Sequence, residues 1–371
     1  MSRRGGTIVA LGALSAALLL SGCTSSPPPA HTADPVASTA PTPAAVHPTC
    51  ATMAPPSTLA AIAPQLVVQP ATNYSIAPPA ENAAPSARAV FMTAVYPPSA
   101  TTVLAGLQAG YFDCEWRDTP STNYVRVSVL PAGSAAFDAH WRSTHYDIAS
   151  WALFAGLGKA DKSVGGCMNG DGPSCEISTL SGTTWVTVTE SEGDISATTA
   201  PAIRAHLEAI THSTLAALDA AGPLVAAQQQ PPSRWQSGGC TVVDTAVQSI
   251  TGSTGGTAEK RALDFTDAYD PVFRAAVAQS GAFDCVDTEA QVTIVPGADD
   301  TAPIVYTSDS TTPVAVSIPG VAGARDLCDA SNATACWTEG YIDHALVTIA
   351  GDLTASGRHA ELAAIAVALA G

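Results

Sequence analysis

The sequence predicts an α+β fold: two tandem, diverged copies of one disulfide-stapled domain, each an antiparallel sheet with helices, behind a signal peptide and an extended linker. Three observations predict it. "AGYFDCEW" at 109–116 is answered by "SGAFDCVD" at 280–287, each following a helix-like run. Eight of the nine cysteines fall into two sets of four in matching order. Strand-like segments are grouped between helical ones instead of alternating with them, which favours α+β over a parallel α/β sheet.

The chain opens with a short basic stretch (Arg3, Arg4) and an apolar run from Ile8 to Leu20. That run is shorter than the ~20 residues a membrane-spanning helix needs. It fits the apolar region of a secretory signal peptide over 1–22. "Leu20-Ser21-Gly22-Cys23" at its end resembles the lipobox of bacterial lipoproteins. The resemblance implies cleavage before Cys23 and acylation of its thiol. A doubly acylated anchor is stable because each buried CH2 contributes about 0.8 kcal/mol. A tethered protein on the extracytoplasmic face of the cell membrane is expected, its partners being the membrane through that lipid and an unidentified envelope ligand or protein.

Residues 23–48 are rich in Pro, Ala, Ser and Thr and hold almost no large apolar side chains, so they have nothing to build a core from. About 25 residues of extended polyproline form span roughly 80 Å, a spacer from the membrane. The formal charge of −17 becomes −19 when Arg3 and Arg4 leave, since no acid precedes Cys23. Such a surface repels phosphate backbones, so no nucleic-acid partner is expected.

Two blocks follow, 49–225 and 234–371, separated by "AAQQQPPS" at 226–233. A further polar stretch, 69–88, reads as a loop inserted in the first block. The helical runs "TTVLAGLQAG" and "DPVFRAAVAQSG" each end in Gly, the usual residue just past a helix C-terminus. Alternating, β-branched runs come next: "YVRVSVL" and "AQVTIV", then "TTWVTVTE" and "ALVTIAG". Ala-rich helical patterns near 203–218 and 358–369 close the blocks. The matches keep one order throughout, which is the signature of an internal repeat. Each block is long enough for its own core.

The first block holds Cys50, Cys114, Cys167 and Cys175; the second holds Cys240, Cys285, Cys328 and Cys336. Exported cysteines in fours read as two disulfides per domain. Cys167–Cys175 and Cys328–Cys336 each close a short polar turn. Cys50 and Cys240 precede the first helix of their block, and each is expected to reach the Phe-Asp-Cys strand. Zinc sites favour tighter pairs, and no Cys-x-x-Cys exists, so neither metal nor redox cofactor is expected.

No Gly-x-Ser-x-Gly, Ser-x-x-Lys, His-Glu-x-x-His or P-loop pattern is present. The segment 134–158 carries aromatics and histidines that the second block lacks. Phe137 and Trp141, four apart, and Trp151 and Phe154, three apart, have helical spacing. His140, Trp141, His145 and Trp151 are the candidate ligand-binding residues, with Asp138 or Asp147 as acidic partners for the histidines. Aromatics at such spacing are more often core. Asp113, Glu115, Asp284 and Asp287, beside the strand cysteines, have the oxygens to bind Ca2+, but single acids flanking a strand read as its exposed face.

The module pattern of leading Cys, helix, Cys-Glu-Trp strand, later Cys and Ala-rich closing helix resembles small disulfide-bearing lipoprotein and sensor-ectodomain modules of actinobacterial envelopes. The second block departs from it, with "CVD" where the first has "CEW". A non-catalytic envelope lipoprotein that binds a ligand or partner is the expected function. An envelope hydrolase with its site at His140 and His145 is the alternative.

Overall fold

A computed structural model describes residues 48–62, 66–68, 90–92, 97–118, 123–152, 161–169, 173–193, 195–224, 233–235, 239–251, 258–263, 270–286, 290–298, 304–306, 313–329, 332–351 and 353–370. The signal peptide, the lipobox and most of the Pro-rich linker lie outside these residues. Residues 44–371 belong to one compact unit.

The first half runs α1 (Cys50–Met53), α2 (Pro56–Ile62), β1 (Val67–Val68), β2 (Val90–Met92), α3 (Pro97–Gln108), β3 (Phe112–Arg117), β4 (Tyr124–Leu130), α4 (Ser134–Ser143), β5 (Ala149–Ala152), β6 (Lys162–Met168), β7 (Ser174–Ser181), β8 (Thr184–Ser191) and α5 (Ala200–Ala221). The second runs α6 (Cys240–Thr251), β9 (Glu259–Ala262), α7 (Pro271–Ser280), β10 (Phe283–Val286), β11 (Ala290–Pro296), β12 (Ile304–Tyr306), β13 (Val314–Ala315), β14 (Ala322–Asp329), β15 (Asn332–Ile342), β16 (Ala345–Gly351) and α8 (Ala355–Ala370).

Each half contributes a seven-stranded sheet. The orders are β1-β3-β4-β8-β7-β6-β5 and β9-β10-β11-β16-β15-β14-β13, the same order strand for strand, with antiparallel pairing throughout. Phe112-Asp113-Cys114 and Phe283-Asp284-Cys285 occupy equivalent strands. Each is entered through a glycine at positive φ, Gly110 (80°) and Gly281 (74°), a turn that a side chain would strain. Outside the two sheets, β2 and β12 form a short parallel pair.

The cysteines pair as Cys50–Cys114, Cys167–Cys175, Cys240–Cys285 and Cys328–Cys336, matching the expected connectivity. The loop-closure model assigns about 2.5 kcal/mol to each eight-residue bridge and about 4 kcal/mol to each long one. Every bridge lies within one half.

Strand alternation gives each sheet two faces. Cys114, Trp116, Val127, Val186, Val188 and Ile177 share the outer face of the first sheet, which α5 covers. On the second sheet, Cys285, Val292, Ile294, Val347 and Ile349 pack with Leu362 and Ile365 of α8 and Val243 of α6. Trp235, fully buried just after the inter-block segment, donates its indole N–H to the Ile342 carbonyl at 3.1 Å and pins the start of the second half.

The inner faces hold the least expected feature. Separate cores for the two halves are expected from the sequence, and the packing instead joins them. α3 contacts β11 and β16 of the second sheet, α7 contacts β4 and β8 of the first, and the two helices pack on each other. Val272, Phe273, Ala276, Val277, Val295 and Leu346 therefore share one core cluster with Tyr111, Leu130 and Phe137. The result is five layers: α5, first sheet, α3 with α7, second sheet, then α6 with α8. The helices lie across the halves because each carries an apolar face that either sheet can satisfy, and the chain satisfies both by exchange.

α7 is built to hold this position. Asp270 caps it, accepting from the backbone N–H of Val272 (2.9 Å) and Phe273 (3.3 Å), with Pro271 at the first helical position. The other Asp270 oxygen accepts from the hydroxyls of Tyr111 (2.6 Å) and Ser128 (2.5 Å) in the first half. One buried carboxylate thus fixes the helix end and ties it to the opposite sheet.

Candidate functional site

The candidate residues of segment 134–158 do not converge. α4 turns the Phe137 side chain into the core, edge-on to Trp185 at 6.1 Å, and leaves Trp141 40 % exposed. His140 lies over the inner face of the first sheet. Its Nε2 is 3.0 Å from Glu176 Oε1, and its ring is 5.3 Å from that of Trp185. Tyr146 donates its hydroxyl to the same Glu176 oxygen at 2.8 Å. Gly166, directly opposite Glu176 on β6, makes that approach possible: a Cβ there would lie 2.3 Å from Tyr146 Cγ. Burial and the neighbouring Glu176 push the Tyr146 phenol up, so it remains a donor.

Trp151 is on β5, opposite Gly165, and so faces the outer side, where Arg204 of α5 stands 5.9 Å over its ring. The helical spacing read for Trp151 and Phe154 is corrected at Trp151 by this edge strand; Phe154 lies outside the described residues. His145 is exposed, beside Asp147, whose carboxylate is held low by hydrogen bonds from Asn169 and by that histidine. Asp138 pairs with Lys162 at 2.8 Å. His140 and Trp151 thus lie on opposite faces of one sheet, with His145 apart from both.

Thr144, His140 and Glu176 have the composition of a nucleophile–base–acid set, and their geometry argues against one. Thr144 Oγ1 lies 3.0 Å from Nδ1 and 3.3 Å from Nε2. An oxygen in line with one ring nitrogen is far from the other, so near-equal distances place it over the ring face. Thr144 Oγ1 also donates to the His140 carbonyl at 2.9 Å, closing the helix end. A general base needs the hydroxyl proton along its lone pair.

The acids beside the strand cysteines are buried, which corrects the exposed face read from sequence. Asp113 and Glu115, both at 0 % exposure, point inward from β3 with Arg126 and Ser128 of β4. Arg126 and Arg117 pair with Glu115, and Arg126 Nε is 3.5 Å from Asp113 Oδ2. Burial alone would lower the Arg126 pKa, but Asp113 and Glu115 outweigh it and hold the guanidinium raised. Burial, with Asp113 and Asp270 next, raises the Tyr111 phenol well above its usual value. Asp284, the equivalent of Asp113, is raised by burial despite bonds from Thr293 (2.6 Å) and Gln291 (2.8 Å). Asp287 lies outside the described residues. Among the described residues no three His, Cys, Asp or Glu side chains gather as a metal site.

Glu190 is a buried titratable group that no sequence motif marks. It follows Val186 and Val188 on the outer, apolar face of β8 at 0 % exposure, and its period-two alignment with those valines was the available signal. Its pKa is pushed up to about 9 by burial and then by Glu192; His206 of α5 stands 3.3 Å away. The folded chain therefore holds this proton between the ordinary value of 4.5 and about 9, while the unfolded chain has released it. Stability falls as pH rises through that window, by up to about 1.4 kcal/mol per pH unit from this group. Glu190→Gln, which mimics the protonated acid, should flatten that slope and gain on the wild type from pH 5 to 9 in urea titrations. Equal slopes for the two proteins would refute the assignment.

A cavity of about 550 Å³ opens between the C-terminal turns of α5 and the β7–β8 hairpin. Leu215, Leu218, Pro223 and Leu224 give it apolar walls, with His212 and Ser181 among its polar lining. That volume is within the range of small-molecule sites.

No protein-family model, no curated protein and no solved structure matches this chain.

Proposed function

We propose that the mature chain is a lipid-anchored protein of the extracytoplasmic face of the cell membrane whose folded unit binds a ligand without catalysing a reaction. The cavity beside α5 is the observation that carries the binding reading: apolar walls beside Ser181, Thr184, His212 and Asp219 suit a small molecule with both apolar and polar parts. The over-ring position of Thr144 supports the non-catalytic part. The 3.0 Å approach of His140 to Glu176 is what favours the alternative, an envelope hydrolase. We further infer that 49–225 and 234–371 are diverged copies of one module, a reading supported by the identical strand order and the repeated Phe-Asp-Cys entry. The actinobacterial source and the sensor-ectodomain likeness rest on the sequence pattern alone.

The test is extraction of the membrane-purified protein with organic solvent and mass spectrometry of what it releases. A small molecule released by the wild type and lost from Ala216→Trp, which fills the cavity without touching the core, is the expected result. Equal release from both proteins would contradict the cavity as the site. Turnover of an ester, amide or glycoside panel that His140→Gln abolishes would establish the hydrolase instead. The anchor is checked separately: the mature N-terminal peptide should begin at an acylated Cys23, and Cys23→Ser should leave the membrane fraction. A Cys23→Ser protein retained at wild-type level after a salt wash would rule the anchor out.

A further inference from the structure

The two eight-residue bridges occupy equivalent places, directly opposed on neighbouring strands: Cys167↔Cys175 on β6 and β7, Cys328↔Cys336 on β14 and β15. Their surroundings differ. Cys167 and Cys175 are both at 0 % exposure, and β5 pairs with β6 at Cys167 itself, through Ala149. Cys328 is exposed and Cys336 half-buried. β13 pairs with β14 only at Arg325 and Asp326, so among the described residues no strand covers the outer side of β14 at Cys328. The ladder is also irregular there, with a register shift between Cys328 and Asp329. Such a shift leaves backbone unpaired and opens the strand locally.

The geometry points to Cys328–Cys336 as a redox-modification site, reduced by an attacking thiolate while the fold stays intact. The thiolate R–S⁻ attacks the exposed Cys328 Sγ. The Cys328–Cys336 bond breaks, its electron pair leaves on Cys336 Sγ, and that thiolate takes a proton from water. A second R–S⁻ then attacks the mixed disulfide, releasing R–S–S–R and the Cys328 thiolate. Two thiols are oxidised to one disulfide, and one protein disulfide is reduced to two thiols. The other bridges resist because attack needs access to a sulfur: Cys114, Cys240 and Cys285 are buried with Cys167 and Cys175, and Cys50 is half-buried, so no sulfur in them is exposed as Cys328 is. Loss of this bridge is tolerable because Leu327↔Trp337 and Asp326↔Thr338 still hold the strands in register.

The experiment exposes the full folded chain to reduced glutathione in one arm and reduced thioredoxin in the other, quenches with N-ethylmaleimide, and maps labelled cysteines by mass spectrometry. Cys328 and Cys336 should be labelled at least ~10-fold faster than any other pair, with the far-UV circular dichroism unchanged, as access-controlled exchange requires. Reaction with glutathione alone assigns the site to small thiols, and with thioredoxin alone to a protein dithiol. Labelling of Cys50–Cys114 or Cys167–Cys175 at the same rate would overturn the proposal. So would labelling only alongside loss of secondary structure, or none in either arm.

Discussion

Phe273→Ala lowers the stability of the whole folded unit by about 3–5 kcal/mol, the usual cost of emptying a buried aromatic site. Phe273 is fully buried, with its ring 5.2 Å from that of Tyr111. It belongs by sequence to the second half and by packing to the first. The loss is a large part of the 5–15 kcal/mol that holds typical proteins folded. Because the cavity opens where the two halves meet, probes in both should report it. Denaturant unfolding followed by tryptophan fluorescence, with Trp116 and Trp185 in the first half and Trp235 and Trp337 in the second, should give one transition moved to lower denaturant. Two transitions, only one of them moved, would contradict the shared core.

Arg126→Ala costs a similar amount for a different reason. Asp113 and Glu115 are fully buried beside it, and removing the cation takes a buried counter-charge from both, leaving Arg117 to face Glu115. Breaking a buried pair by deleting one partner costs about 3–5 kcal/mol, whereas replacing the whole group by apolar or neutral residues is often near neutral. The triple variant Asp113→Asn, Glu115→Gln, Arg126→Met should therefore recover much of the loss. A single variant as stable as wild type at pH 7 would show the cluster to be solvated.

The cysteine connectivity was legible because order and loop chemistry both point to it, and the strands because alternation survives in "YVRVSVL" and "AQVTIV". The glycines at 110 and 281 marked the entries to equivalent strands. The helix exchange was not legible. Nothing in "TTVLAGLQ" distinguishes one half's sheet from the other's, since both offer apolar inner positions. That exchange also explains the misreading of Asp113 and Glu115. A polar alternate face normally means solvent, but a helix layer between two sheets buries the inner faces too. The His140–Glu176–Tyr146 cluster joins residues 36 and 30 positions apart, beyond any local spacing rule. Trp151 was misread because three-residue spacing fits a helix and says nothing against an edge strand.

The most direct test of the exchanged-helix architecture cuts the only covalent link between the halves. A protease site placed within 226–233 of the full chain is cleaved after folding, under oxidising conditions. Every disulfide lies within one half, so packing alone must hold the pieces. The two pieces should coelute on size exclusion at the mass of the intact chain and melt together. Pieces that separate in native buffer, each keeping its own secondary structure and its own melting transition, would contradict the helix exchange.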